Sequence, residues 1–258
     1  MKRKQKIVLL CFVLLVCVVC VVSAATTDSG NETNDSFTTA KKWLEKDVYY
    51  DHRETVYCGA EFNADKMVKL PAGFKAEKYQ SRAERIEWEH IVPAENFGRT
   101  FAEWRDGDPA CVDIKGRAFK GRKCAETASK TYRLMQADMY NLYPAIGAVN
   151  ALRQNYNFTQ FQDDTPSSFG SCLMKIQDKK AEPPTRARGL IARTYLYFEG
   201  AYHRYKMSDS QRKLMQVWDK QYPVDAWECE RACRIFKIQK NPNSVVQERC
   251  EEKGLWPC

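Results

Sequence analysis

Sixteen apolar residues run unbroken from Ile7 to Val22, behind Lys2, Arg3, Lys4 and Lys6 and ahead of Ser23-Ala24-Ala25. A basic head, an apolar run and small residues in that order predict a secretory signal peptide over residues 1–24. The run is shorter than the roughly 18 residues of an ordinary spanning segment, which leaves an uncleaved anchor as the weaker alternative. Residues 25–42 are polar and poor in core formers, so composition predicts a flexible lead-in. From Trp43 to Cys258 apolar residues recur steadily, with no repeat and no second long linker. One domain over residues 43–258 follows.

Within that domain, Arg85–Val92 partly alternates and stops at Pro93, as a strand would. Pro93 to Phe101 is predicted as helix or turn. Ala102–Cys124 holds Gly107, Pro109, Gly116 and Gly121 among charges and is read as a long loop. Pro144 stands where a helix could begin, since proline is tolerated in a first turn, and Ile146, Val149 and Leu152 recur at helical spacing. A break covers Asp163–Gly170, and a helix is expected from about Arg188 to Tyr197. Leu214, Val217 and Trp218 form one apolar helix face stopped by Pro223. Asp225 is placed to cap a following helix that carries Trp227, Ala232, Ile235 and Phe236. The sum is a helix-dominant α+β domain with a few short strands.

Export changes what the cysteines mean. Cys11, Cys17 and Cys20 leave with the signal. Eight remain, namely Cys58, Cys111, Cys124, Cys172, Cys229, Cys233, Cys250 and Cys258. An even number in an exported chain predicts disulfides, up to four, with connectivity left open. Structural zinc at Cys229 and Cys233 is a rival reading, weakened by the want of a compact second Cys/His pair. A disulfide-bonded chain should also lose its fold and activity on reduction. Removing the leader leaves 37 Lys and Arg against 33 acids, a net charge of +4. That mild excess permits a polyanionic partner without demanding one.

Glu89 and His90 are adjacent. Together they supply one hard oxygen ligand and one base that titrates near neutrality. Metal-assisted phosphodiester hydrolysis needs both. On a regular strand the two side chains would point to opposite faces, so a shared site needs a bend there. Taken alone, a Glu-His pair is more often an ordinary surface pair, and Asn141 alone a cap or turn residue. His52 and His203 are read as surface or satisfied structural histidines.

A longer set of words goes further. Glu87-Trp-Glu-His-Ile-Val-Pro-Ala94, Asn96-Phe-Gly98, Gly121-Arg-Lys-Cys124 and Asn141-Leu-Tyr-Pro-Ala-Ile-Gly-Ala-Val-Asn150 stand in that order. Arg188-Gly-Leu-Ile-Ala-Arg-Thr-Tyr195 and Pro223-Val-Asp-Ala-Trp-Glu-Cys229 follow. In this the chain resembles the bacterial endonuclease I family, the periplasmic or secreted nucleases built on a ββα-metal (His-Me) finger.

The resemblance implies an exported endonuclease that cuts DNA, single- and double-stranded, and RNA as well, without sequence specificity, leaving 5′-phosphate ends. It implies His90 as the base that activates water, with Glu89 and Asn141 holding one divalent ion. That ion is normally Mg2+, with Ca2+ or Mn2+ as substitutes. Arg122 stabilises the phosphate, and Arg188 and Arg193 lie on the DNA-facing surface. A periplasmic or secreted monomer is expected, with no protein partner and no membrane association after cleavage. Two positions depart from the family pattern: Ala151 and Lys240 stand where glycine is usual, and either would strain a turn of positive φ. The alternative is a catalytically silent extracellular protein that binds nucleic acid.

Overall fold

The computed structural model describes residues 29–258, so the expected signal peptide over 1–24 lies outside the described residues. Strand β1 (Ile86–His90) pairs antiparallel with β2 (Leu142–Ile146), with Ile86 opposite Ile146 and His90 opposite Leu142. Helix α6 (Gly147–Arg153) follows β2 at once. β1, β2 and α6 together make the ββα unit that the resemblance implied.

All five residues of β2 are buried, so the strand carries no polar alternation to read. Pro144, expected to open a helix, lies inside β2 opposite Trp88. The sheet has only two strands, so a missing N–H on its outer side breaks no ladder. The Pro144 carbonyl still accepts from Val56 N at 2.8 Å. The helix begins three residues later, at Gly147. A Cβ there would lie 2.4 Å from the Arg82 carbonyl oxygen, so only glycine lets α6 start this close to the chain leading into β1.

The chain from β1 to β2 carries α2 (Ala94–Gly98), α3 (Ala102–Arg105), α4 (Arg122–Ala128) and α5 (Lys130–Gln136). Most of Ala102–Cys124 is irregular, as expected, but its two ends are helical. Ser129 caps α5 by accepting from Tyr132 N. A small three-stranded sheet follows, with β3 (Asn157–Phe158), β5 (Lys180–Glu182) and β4 (Lys175–Gln177) in that order.

Four helices close the fold: α7 (Thr185–Ala201), α8 (Asp209–Gln221), α9 (Ala226–Gln239) and α10 (Ser244–Glu252). The buried face of α7 includes Ala187, Ile191, Tyr195 and Phe198. Asp225 caps α9 through Glu228 N, and α8 ends just before Pro223, both as expected. The molecule is the helix-dominant, disulfide-bonded α+β domain that the sequence predicts.

The disulfides pair Cys58 with Cys172, Cys111 with Cys124, Cys229 with Cys250 and Cys233 with Cys258. Cys229 and Cys233 therefore take separate partners and are not a zinc pair. Ala151 is helical, so its replacement of glycine strains nothing. Lys240 is different: it ends α9 in the left-handed region at φ +66°.

The polar stretch expected to be a flexible lead-in is packed where it is described. Asn31 is buried and donates to the Leu134 carbonyl at 2.9 Å. Helix α1 (Phe37–Trp43) follows, capped by Ser36, and a π-helical turn carries it on to Val48. Ala40 and Leu44 are fully buried. These few apolar anchors dock the segment, and average composition hides them.

Candidate active site

Glu89 and His90 are the last two residues of β1, and the chain bends after them. Both residues stand in regular pairing, opposite Tyr143 and Leu142, and the bend falls after them at Ile91 and Val92, yet both line one cleft of about 360 Å³. Phe37 of α1, Trp104 of α3, Arg122 of α4 and Asn150 of α6 share its walls.

His90 is buried, with Nε2 2.9 Å from the Gln136 carbonyl oxygen. A carbonyl only accepts, so Nε2 carries the proton and Nδ1 keeps its lone pair. Burial, then the positive field of Arg122, pushes the imidazole pKa down to about 3. His90 is thus a neutral base across the physiological range. The Phe37 ring packs 5.0 Å from the imidazole.

Glu89 is also buried. Its Oε1 accepts from the Tyr57 hydroxyl and from Arg153 Nη1, each at 2.9 Å. Burial raises the carboxyl pKa, and Arg153 opposes that rise. Both hydrogen bonds fall on Oε1, so no described donor occupies Oε2. Arg122 opens α4 with its side chain 45% exposed. Its contacts are long and use only Nε, at 3.4 Å to the Tyr132 hydroxyl and 3.7 Å to Glu126. Neither Nη group is engaged by a described residue, so the guanidinium keeps its fork for an anion.

Asn141, expected beside Glu89, is elsewhere in its chemistry. It is fully buried, and its amide both accepts from Val92 N at 2.7 Å and donates to Val92 O at 3.0 Å. Its polar atoms are spent holding the bend after β1. Asn150, the other end of the same sequence word, faces the cleft instead. Its Nδ2 donates to Glu87 at 2.7 Å, and Glu87 is held in turn by Arg82 Nε at 2.7 Å. A carboxylate only accepts, so this bond fixes the amide orientation and turns Oδ1 away as a free acceptor. Asn150 lies one helical turn into the last element of the ββα unit, and that position is the signal that marks it.

Arg188 and Arg193 do not form an outward surface. Arg193 is 1% exposed, bound by both oxygens of Glu228 at 2.7 and 2.6 Å and by the Tyr222 carbonyl at 2.8 Å. Arg188 is mostly covered and donates to Glu182 at 2.5 Å. Both cations are neutralised inside the protein, and neither lines the cleft. A second cavity of about 360 Å³ includes His52, Arg186 and Trp227 in its walls. There His52 stacks on Trp227 at 3.9 Å and Arg186 pairs with Glu54, so no free base stands beside a free cation.

Among the described residues no group of three or more His, Cys, Asp or Glu side chains clusters as a metal cage. A carboxylate and an amide oxygen are hard donors, and two of them suit a divalent ion that keeps several of its waters. The donor set of Glu89 and Asn150 therefore fits such an ion.

The family model described as Endonuclease I matches residues 25–250. An extracellular deoxyribonuclease of Aeromonas hydrophila is 40% identical over 224 residues, covering 84% of this chain and 91% of the relative. A periplasmic deoxyribonuclease of the same organism is 39% identical over 224 residues, covering 84% and 87%. Endonuclease-1 of Buchnera aphidicola subsp. Acyrthosiphon pisum is 40% identical over 203 residues, covering 76% and 75%.

Proposed function

The chain belongs to the endonuclease I family, and from that premise we propose an exported, divalent-metal-dependent endonuclease that hydrolyses phosphodiester bonds in DNA and RNA without sequence specificity. The observation that carries the reading is the state of His90. It is a neutral imidazole with Nδ1 open, in one cleft with the unengaged guanidinium of Arg122.

In the reaction His90 Nδ1 takes a proton from the attacking water. Its Nε2–H bond to Gln136 holds the ring in the tautomer that can do so. The Arg122 Nη groups bind non-bridging phosphate oxygens and stabilise the charge that builds on them. Glu89 and Asn150 Oδ1 would hold the ion, Mg2+ first, with Ca2+ or Mn2+ as substitutes. When bound, the ion supplies positive charge for the phosphate and the departing 3′ oxygen. The water oxygen bonds to phosphorus as the P–O3′ bond breaks. The 3′ oxygen leaves as a hydroxyl with a proton from solvent water, and the phosphate stays on the 5′ end. Groups that address phosphate carry no base information, which accounts for cutting without sequence preference.

The test is nicking of supercoiled plasmid by the oxidised mature chain, with Mg2+ and with excess chelator, beside His90→Ala. Metal-dependent nicking that vanishes in the variant is expected. Salt-sensitive DNA retention with no nicking by either protein would replace the reading with a silent binding protein.

A further inference from the structure

The active-site cleft continues into a second groove of about 550 Å³, and the two share Phe37, Trp88 and Asn150 as a common wall. We propose that this groove, through Lys41, Lys42 and Arg85, holds backbone phosphates of the substrate strand next to the one that is cut. The inference rests on the nuclease reading and adds to it a track for the flanking strand, on a helix that composition alone assigns to a lead-in.

The charges decide the occupant. Four cations line the groove, Lys41, Lys42, Lys66 and Arg85, against two acids, Glu45 and Glu87. Glu45 is paired with Lys66 at 3.1 Å, and Glu87 with Arg82 at 2.5 Å. Both acids are thus answered. Among the described residues Lys41, Lys42 and Arg85 have no carboxylate partner. Arg85 has only the Asp65 carbonyl, at 3.0 Å. Three uncompensated cations in a groove that opens into a phosphodiester-cutting cleft fit a polyanion.

Position supports the same reading. Lys41 Nζ lies 4.6 Å from the centre of the Phe37 ring, whose other neighbour is His90 at 5.0 Å. One aromatic ring thus separates the first ammonium of the track from the catalytic base. Lys42 and Arg85 are exposed. They stand on α1 and at the entrance to β1, so the groove runs between the N-terminal helix and the ββα unit. Flexible lysines bind phosphate as point charges, which suits a backbone read without regard to sequence.

The test uses the oxidised mature chain carrying His90→Ala, so that DNA survives the measurement. Its affinity for a short labelled duplex is read by fluorescence anisotropy across a salt series. The same chain with Lys41→Gln, Lys42→Gln and Arg85→Gln is compared, after thermal unfolding confirms that it folds. Each neutralised phosphate contributes about 0.9 to the slope of log K against log salt. The triple variant should lower that slope by roughly 2 to 3 and bind more weakly. Lys213→Gln, Lys220→Gln and Lys237→Gln on α8 and α9 line neither groove and supply a charge-matched control. In the chain that keeps His90, the triple variant should raise KM for plasmid nicking and hold kcat. A slope and KM equal to those of the control would overturn the track while plasmid nicking stood. Absence of nicking by the unsubstituted chain would instead sink the nuclease reading and leave the binding comparison intact.

Discussion

Arg153 Nη1 lies 2.9 Å from Glu89 Oε1, and both side chains are buried. The same guanidinium donates to the backbone carbonyls of His90 at 2.8 Å and Ile91 at 2.6 Å. One cation thus anchors the carboxylate and the bend that carries the base. Arg153→Met would leave Glu89 buried without its counter-charge, at a cost of about 3–5 kcal/mol in urea unfolding. The double variant with Glu89→Gln should recover part of that loss. A double variant less stable than Arg153→Met alone would show that the charge pairing is not what matters.

The two asparagines separate fold from chemistry. Asn141→Ala strands the N–H and C=O of Val92, each costing about 1–3 kcal/mol when buried and unpaired. Its main effect should be a lower unfolding midpoint. Asn150→Ala removes only an exposed-side acceptor and one bond to Glu87. It should keep the fold and lose nicking rate on the order of 100-fold, the size typical of a lost electrostatic group. Titration of the rate against Mg2+ and parallel melting curves would check both. An Asn150→Ala enzyme of normal rate would return the ligand role to some other residue.

An imidazole held to a pKa of about 3 stays a base at mildly acid pH. The rate of plasmid nicking should therefore show no protonation step near 6.5, where an ordinary histidine titrates. The stability consequence has the opposite look. Between 6.5 and about 3 the unfolded chain binds the proton and the folded chain does not, so His90 lowers stability as pH falls through that window. Unfolding midpoints of the native chain and His90→Ala, taken from pH 7 to 4, should converge on acidification. Midpoints that move in parallel would contradict the neutral buried base.

Lys240 occupies a helix-ending position at φ +66°, where a side chain costs roughly 1–2 kcal/mol. Glycine avoids that strain but gains freedom in the unfolded chain. Lys240→Gly should raise stability by about 1 kcal/mol or less and leave nicking unchanged. A lower melting temperature would mean that the Lys240 side chain makes a stabilising contact that outweighs the strain.

Glu89, His90 and Arg122 are picked out by local words in the sequence, and the structure brings all three to one cleft. Which asparagine faces the cleft is not readable in the sequence, since Asn141 and Asn150 stand at the two ends of the same word and only the fold decides which amide is spent on backbone. Arg193 misled for a related reason. A sequence displays a charge but not its partner, and Glu228 and Asp219 lie far along the chain. β2 escaped because a strand covered on both faces has no alternation and because Pro144 resembles a helix start. α1 and the π-helical turn after it are hidden because Ala40 and Leu44, their fully buried anchors, are few among polar neighbours.

The bond between Cys58 and Cys172 spans 114 positions, and Glu89, His90, Arg122 and Asn150 all fall inside the span. The part of the chain that lines the proposed site is therefore a closed covalent ring rather than a stretch of open chain. A protease that severs the exposed segment near Ile114 opens that ring at one point and frees no piece of it. Arg122 would still be tethered to β1 through the long bridge and to the shorter Cys111–Cys124 link. Outside the cell, where proteases are abundant, a single cut would leave the parts of the site joined and able to hold together.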